Sequence, residues 1–236
     1  MKKIIILILA LPSFVLAAGD NVQLDRAPDR SNNLPALQHG AKVYVNYCLN
    51  CHGLSFLRYN KLQELGISEE QIKDNLLFTA DKVGERMSIA MRSKEAKQWF
   101  GVAPLDLSVI TKARASGLDS GADWLYTYLR SFYRDKTTPT GWNNVIFPNV
   151  AMPHVLWELQ GDQELTDDKK LKLVKKGRLT SDEFDEMAAN LTGFLVWAAE
   201  PDAQFRKTVG TWVLIVLLLL LVVSYALKRE YWKDVN

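Results

Sequence analysis

The pentapeptide Cys48-Leu49-Asn50-Cys51-His52 holds both cysteines of this 236-residue chain. A C-x-x-C-H sequence reads as a covalent haem attachment site. Two thiols on one turn can reach the two vinyl groups of a single porphyrin, and the following histidine then lies under the ring to ligate the iron. A thioredoxin-like redox pair would want a βαβ setting, whereas the flanks here have helical patterning. A zinc site would need four ligands, and only His39 and His154 remain as further histidines. A disulfide would consume the two thiols that the haem needs.

An iron with one axial histidine has either an open sixth position or a second ligand. The open form binds small molecules or activates peroxide; the closed form transfers electrons, and a thioether ligand raises its potential. The candidates are His39, His154, Met87, Met91, Met152 and Met187. His39 lies on the stretch that leads into His52 and cannot easily reach the opposite face of the ring. Met187 falls on the apolar face of the last helix before the C-terminal run and reads as core. Met87 and Met91, at i and i+4, read as packing on one helix face. Met152 lies in a loop between Pro148 and Pro153, free of helical geometry, which favours it. His154 is its close rival, or else a surface or propionate-side histidine.

The elements that would position these groups are mostly helical in pattern. Residues 20–34 are polar and read as an extended segment. A helix starting near Pro35, behind Asn33 or Leu34, runs into the haem motif and carries Gly40 and Tyr44 one turn apart. Apolar residues of the stretch Gly53–Leu57 are candidates for the floor of a haem pocket. Ser68 and Gln71 have the spacing of a capping box. Asp106 or Ser108 can cap a helix from about Val109 to Arg114, and Asp123 can cap the next, with Trp124, Leu125, Tyr128, Leu129 and Phe132 on its apolar face. Asp135 to Ala151 is a long loop rich in Pro, Gly and Asn, of the kind that tends to be functional. Residues 161–180 are charged and read as a surface excursion. Thr180 and Glu183 form a second capping box, and Phe184, Met187, Leu191 and Leu195 mark the helix behind it. No internal repeat and no convincing strand-period segment is present.

The two ends read as export and anchoring. Lys2 and Lys3 precede an apolar run from Ile4 to Leu11 and small residues near Ala17, the pattern of a signal peptide over residues 1–17. From Val209 to Leu227 the chain is apolar and uncharged. At about 1.5 Å per residue this run matches a bilayer core of about 30 Å. Trp212 and Tyr225 suit the interfaces, and Lys228, Arg229 and Lys233 place the tail in the cytoplasm. The expected organisation is a periplasmic domain over 18–205, a span over 206–228 and a cytoplasmic tail over 229–236, in a bacterial inner membrane. The body over 18–205 carries 22 basic and 25 acidic groups, a formal charge of −3. That argues against a nucleic-acid binder and is compatible with a basic protein partner.

The ordered motifs resemble the cytochrome c1 family, the haem subunits of the quinol–cytochrome c oxidoreductase, in its proteobacterial form. The resemblance covers essentially the whole mature chain. It rests on Leu34-Pro35-Ala36-Leu37-Gln38-His39-Gly40 before the haem motif, Ala103-Pro104-Leu105-Asp106-Leu107-Ser108, and Lys112-Ala113-Arg114. Asp123-Trp124-Leu125-Tyr126, Phe147-Pro148, Ala151-Met152-Pro153 and the C-terminal run complete it. The departures are modest: the family's paired prolines before Asp are Pro104-Leu105 here, its proline run after Met is Pro153-His154, and its usual Tyr after Asp123 is Trp124.

The resemblance implies a mostly α, class I cytochrome c-like domain with insertions, plus one C-terminal transmembrane helix. The helix through Gly40 and Tyr44 should cross the last soluble helix near Leu191, Phe194 and Leu195. One haem c would be held by Cys48 and Cys51 and ligated by His52 and Met152, with Arg114 paired to a propionate. The implied partners are cytochrome b, the Rieske iron–sulfur protein and a soluble cytochrome c; the chain alone would not be an enzyme. Rival readings are an anchored c-type cytochrome of another complex and a haem peroxidase.

Overall fold

The computed structural model describes residues 23–234, apart from Ala90 and Leu118. The signal-peptide reading for residues 1–17 therefore lies outside the described residues.

Helix α1 (Leu34–Val43) starts where expected. Asn33 Oδ1 accepts the Ala36 N–H at 3.1 Å, and Pro35 sits in the first turn, where its missing N–H costs nothing. The helix then widens into a π-helical turn, Tyr44–Cys48, in which the Leu49 N–H reaches back five residues to the Tyr44 carbonyl at 3.0 Å. Such single π turns concentrate at functional sites, and this one delivers the first cysteine.

Strand β1 (Leu54–Arg58) and a 3₁₀ turn (Tyr59–Leu65) follow, then α2 (Glu69–Asn75), which carries the expected Ser68/Gln71 capping box. Met87 lies not on a helix but in the two-residue strand β2 (Arg86–Met87), paired antiparallel to β1 opposite Leu54. The i, i+4 reading of Met87 and Met91 is thus corrected: Met87 is fully buried core, held by strand pairing.

Helices α3 (Ser93–Phe100) and α4 (Ile110–Ala113) are short, and α5 (Gly121–Arg130) carries the apolar face read from the sequence. Neither Asp106 nor Ser108 caps α4, whose N-cap is Val109. Ser120, not Asp123, caps α5: its hydroxyl accepts the Asp123 N–H at 3.0 Å. That frees the Asp123 carboxylate to accept the Ala27 N–H at 2.7 Å and pin the extended N-terminal segment.

Among the described residues three small antiparallel strand pairs correct the expectation of no strands. Besides β1–β2 they are β3 (Phe132–Arg134) with β4 (Trp142–Asn144), and β5 (Gly161–Leu165) with β6 (Leu171–Lys176). The first of these two hairpins is formed by the start of the long loop, with β3 just ahead of it and β4 inside it, and the second is the charged excursion. Each strand is six residues or fewer, too short for a period-2 pattern to stand out from turn residues. One-turn α6 (Trp157–Gln160) sits between the hairpins. The fold is otherwise helical, as expected.

The scaffold of the domain is the crossing of α1 with α7 (Ser181–Ala199), which begins at the expected Thr180/Glu183 capping box. Gly40 makes the crossing possible, because a Cβ there would run into the Asn190 carbonyl and the Phe194 Cβ. Tyr44 packs on Phe194 with ring centroids 5.6 Å apart, and Leu191 and Leu195 are buried beside them. Residues Pro201 and Asp202 turn the chain into α8 (Ala203–Tyr231), 29 residues long and without a buried residue. It exceeds the expected 206–228 span by about a turn at each end, because residues with good helix propensity such as Gln204, Arg206, Arg229 and Glu230 continue the helix beyond the apolar run.

Candidate haem site

The motif folds into a hydrogen-bonded turn. The Cys51 and His52 N–H groups both donate to the Cys48 carbonyl, at 3.0 and 2.8 Å, which brings the two thiols onto one turn. Both cysteines are free, Cys48 buried and Cys51 partly so. Burial pushes the Cys48 thiol up to about 12, with Cys51 beside it adding to the rise, and raises Cys51 as well. A reactive redox C-x-x-C has the opposite character, a thiol lowered to favour thiolate.

His52 is oriented by the backbone. Its Nδ1 lies 2.6 Å from the Leu105 carbonyl. A carbonyl only accepts, so Nδ1 carries the proton and Nε2 keeps its lone pair, the arrangement that metal-bound histidines use. Burial lowers the imidazole pKa and outweighs the Leu105 carbonyl and Asp106, so the ring is neutral. Leu105 is held in place by the next residue. Asp106 Oδ2 accepts from Ser55 N–H (2.9 Å) and Ser55 hydroxyl (2.6 Å), while Oδ1 accepts from Ser108 N–H at 2.9 Å. The Leu107 N–H donates to the Gly53 carbonyl at 2.9 Å, so loop 104–108 is sewn along β1. On the other side the Tyr44 hydroxyl donates to the His52 carbonyl at 2.5 Å.

Met152 arrives from the β3–β4 hairpin and its following turn. Two buried asparagines shape that turn. Asn144 Oδ1 accepts from the Ile146 and Phe147 N–H groups (3.1 and 3.2 Å), and its amide donates to the Tyr128 carbonyl at 2.9 Å. Asn143 Oδ1 accepts from Asn149 N–H at 2.8 Å, where Asn149 takes the left-handed φ of 59° that asparagine tolerates.

Cys48, Cys51, His52 and Met152 all line one apolar cleft, walled by Tyr47, Phe100, Val102, Pro104, Ala151, Pro153 and Val155. The donor set fits a haem c: two unpaired thiols on one turn, a neutral imidazole with Nε2 free, a thioether, and an apolar lining. The four residues expected at the iron site are thus brought together. Arg114 is not on the lining. Its guanidinium lies 4.4 Å from the Trp124 ring centroid and 5.3 Å from that of Phe147, and no ion pair among the described residues occupies it.

The rival ligands are elsewhere. His154 is 2% exposed, stacked on Phe132 at 4.7 Å and edge-on to Trp142 at 5.0 Å. It is core rather than a surface or propionate-side residue, and burial, with Arg134 nearby, lowers its pKa to about 4. His39 meets Asn190 at 3.3 Å, Met87 and Met187 are buried, and neither these nor Met91 line the cleft. The stretch after His52 does not floor it: Leu54 and Leu57 enter the core, and Phe56 is 79% exposed.

Sequence reasoning missed four contributors. The Leu105 carbonyl is a backbone group and has no side-chain signature. Asn143 and Asn144 looked like loop residues, although an Asn pair flanked by Trp142 and Val145 is a signal for a braced turn. Tyr128, read only as part of an apolar helix face, directs its hydroxyl at Met152 Sδ, 3.4 Å away.

Comparison with known proteins decides the family. Residues 27–235 match the cytochrome C1 family. The chain belongs to the cytochrome c1 family. It is 42% identical over 250 residues to cytochrome c1 of Allochromatium vinosum, with both chains fully covered. It is 28% identical over 243 residues to cytochrome c1 of Rhodospirillum rubrum, covering 86% of this chain and 82% of that one. A Nitrosomonas europaea protein named ammonia monooxygenase gamma subunit is 46% identical over 237 residues, covering all of this chain and 99% of the relative. Members of the cytochrome c1 family bind one covalently attached haem c and are the electron-transfer subunit of the bc1 complex, not enzymes on their own. Membrane anchoring by the C-terminal helix agrees with α8.

Proposed function

We propose that this chain takes electrons singly from the Rieske iron–sulfur protein and passes them to a soluble cytochrome c. The observation that carries the proposal is the single apolar cleft lined by both thiols, the His52 ring and the Met152 sulfur. Cys48 and Cys51 would hold the porphyrin as thioethers. His52 Nε2 and Met152 Sδ would ligate the iron, and Arg114, whose guanidinium lies over the Trp124 and Phe147 rings, would pair with a propionate. When bound, the haem supplies a one-electron iron couple, held at high potential by a His/Met ligand pair.

The protein's own part is positional. Leu105 and Tyr44 hold His52 from two sides, the asparagine-braced turn presents Met152, and Phe100, Val102 and Pro104 give the cleft an apolar wall. Iron held by both His52 and Met152 would have no open position for peroxide, which favours electron transfer over peroxidase chemistry. The negative body would steer a basic partner, with an association rate that falls as salt rises.

The domain over 18–205 would face the periplasm after removal of residues 1–17. Residues 206–228 would span the inner membrane, and 229–236 would remain in the cytoplasm. The apolar exposed surface of α8 and the Lys228, Arg229 and Lys233 cluster beyond it support this orientation.

An optical spectrum of wild type and Met152→Leu tests the ligand assignment. The weak thioether band at about 695 nm is expected in the wild type and absent from the variant; its persistence would show that another group ligates the iron. One observation favours a second reading, the name of the Nitrosomonas europaea relative, in which such a cytochrome serves another membrane complex. Copurification of cytochrome b and Rieske subunits with the anchored chain supports the first reading, and their absence the second.

A further inference from the structure

Tyr128 has an unusual hydroxyl. The residue is buried on α5, and a buried phenol ordinarily finds a strong oxygen or nitrogen partner. Here its partner is the Met152 thioether, a weak acceptor, at 3.4 Å. The ring has no freedom to choose otherwise. Trp124 stacks on it with centroids 4.9 Å apart and planes 12° from parallel, and Phe132 meets it edge-on at 5.1 Å and 72°. The Tyr128 carbonyl also accepts the Asn144 amide at 2.9 Å, so this residue is tied both to the turn that presents Met152 and to its sulfur.

A methionine side chain has three rotatable bonds and fills space in many ways. A fixed donor at the sulfur selects among them. A thioether sulfur has two lone pairs; one that accepts from Tyr128 leaves the other for a ligand bond. Donation to the sulfur also withdraws electron density from it, which disfavours ferric iron more than ferrous.

We infer that Tyr128 is a positioning residue for the thioether: its O–H holds one lone pair of Met152 Sδ, turns the other into the cleft and raises the potential of the iron. This rests on Met152 being the distal ligand.

The test uses the full-length holoprotein in detergent, poised at a fixed potential near its midpoint. Tyr128→Phe is expected to keep the thioether band and to lower the ferrous-to-ferric ratio about threefold, the size of one modest hydrogen bond. Tyr126→Phe removes a hydroxyl from the same helix, where the ring lies under Arg130 with 4.4 Å from centroid to guanidinium, and should leave the ratio unchanged. Site-specific fluorotyrosine at position 128 makes a stronger donor in the same packing and should raise the ratio. A Tyr128→Phe protein with the wild-type ratio overturns the inference, as does a fluorotyrosine protein that shifts in the same direction as Phe. If Tyr128→Phe fails to take up haem, the fluorotyrosine protein alone decides, and no rise in its ratio refutes the role. Met152→Leu, measured in parallel, separates the two levels: a retained band there sinks the ligand assignment, whereas a lost band with an unmoved Tyr128 series sinks only the positioning role.

Discussion

The two sides of the cleft are built differently. The His52 side is short-range and redundant: a hydrogen-bonded turn, a backbone carbonyl on Nδ1, a buried tyrosine on the His52 carbonyl, and Asp106 stitching loop 104–108 to β1. The Met152 side is long-range and sparse. Its sulfur, a hundred residues along the chain, meets one weak hydrogen bond, and its turn hangs on two buried asparagines. Covalent capture at the first side needs geometry within a few residues. Ligation at the second needs the whole fold to be assembled. The two should therefore fail separately when their own supports are removed, and together when the shared scaffold is.

The largest effect is expected at that scaffold. Gly40→Ala drives a methyl into the Asn190 carbonyl at the α1–α7 crossing, and a backbone atom cannot yield cheaply. A loss of about 3 kcal/mol or more, read by denaturant unfolding, should accompany poor yields of covalent haem. Gly84→Ala, with nothing within 4 Å of its added Cβ, is the neutral control; equal behaviour of the two would mean that the crossing is not tight. Asn144→Ala is next. It strands the Ile146 and Phe147 N–H groups and removes the amide from the Tyr128 carbonyl, which keeps only its longer bonds from Ser131, and should cost about 2–3 kcal/mol. Haem should still attach covalently while the thioether band weakens or disappears. If the band stays at full strength, the asparagine does not hold the Met152 side.

The same contrast explains what could be read from the sequence. The haem motif was legible because its chemistry is carried by five consecutive residues. The α1–α7 crossing was implied by the resemblance, and its two faces were legible because Gly40 and Tyr44, and Leu191 and Leu195, each stand at helical spacing. Both capping boxes at Ser68 and Thr180 formed as read, since a cap is a local signal. Met152 was reached through its loop setting and the resemblance, but not its supports. Asn144 looks like any polar loop residue until the hairpin buries it, and the Leu105 carbonyl is invisible in side-chain terms. Asp123 does not cap, because Ser120 three residues earlier has equal local propensity to cap; the tie is broken by the distant Ala27 N–H, which engages the Asp123 carboxylate. Met87 was misplaced because two methionines four apart mimic a helix face, whereas the pairing with Leu54 that fixes it is thirty residues away.

Within the His52 side the redundancy itself can be measured. Tyr44→Phe removes the hydroxyl from the His52 carbonyl and should cost about 1 kcal/mol in unfolding free energy. Because Leu105 still holds Nδ1, the thioether band should survive. Loss of the band would show that the support is not redundant.

The smallest effect belongs to Asp106, and it has a pH signature. Burial pushes this carboxyl up, but hydrogen bonds from Ser108 and Ser55 outweigh it, so its pKa lies below the ordinary carboxylate value. A depressed folded-state pKa means that the unfolded chain binds the proton more readily. The stitch to β1 is therefore at full strength above the unfolded value of about 3.9 and is lost as pH falls through the folded value below it. Asp106→Asn cannot accept with the same charge and should be less stable than wild type at pH 7. The gap between the two should shrink on acidification below about pH 4, because the wild type then loses what the variant never had. Unfolding of both proteins at pH 7 and at the lowest pH where the wild type still folds would show this; a gap that holds constant or widens would mean that the Asp106 charge contributes nothing to holding Leu105 against His52.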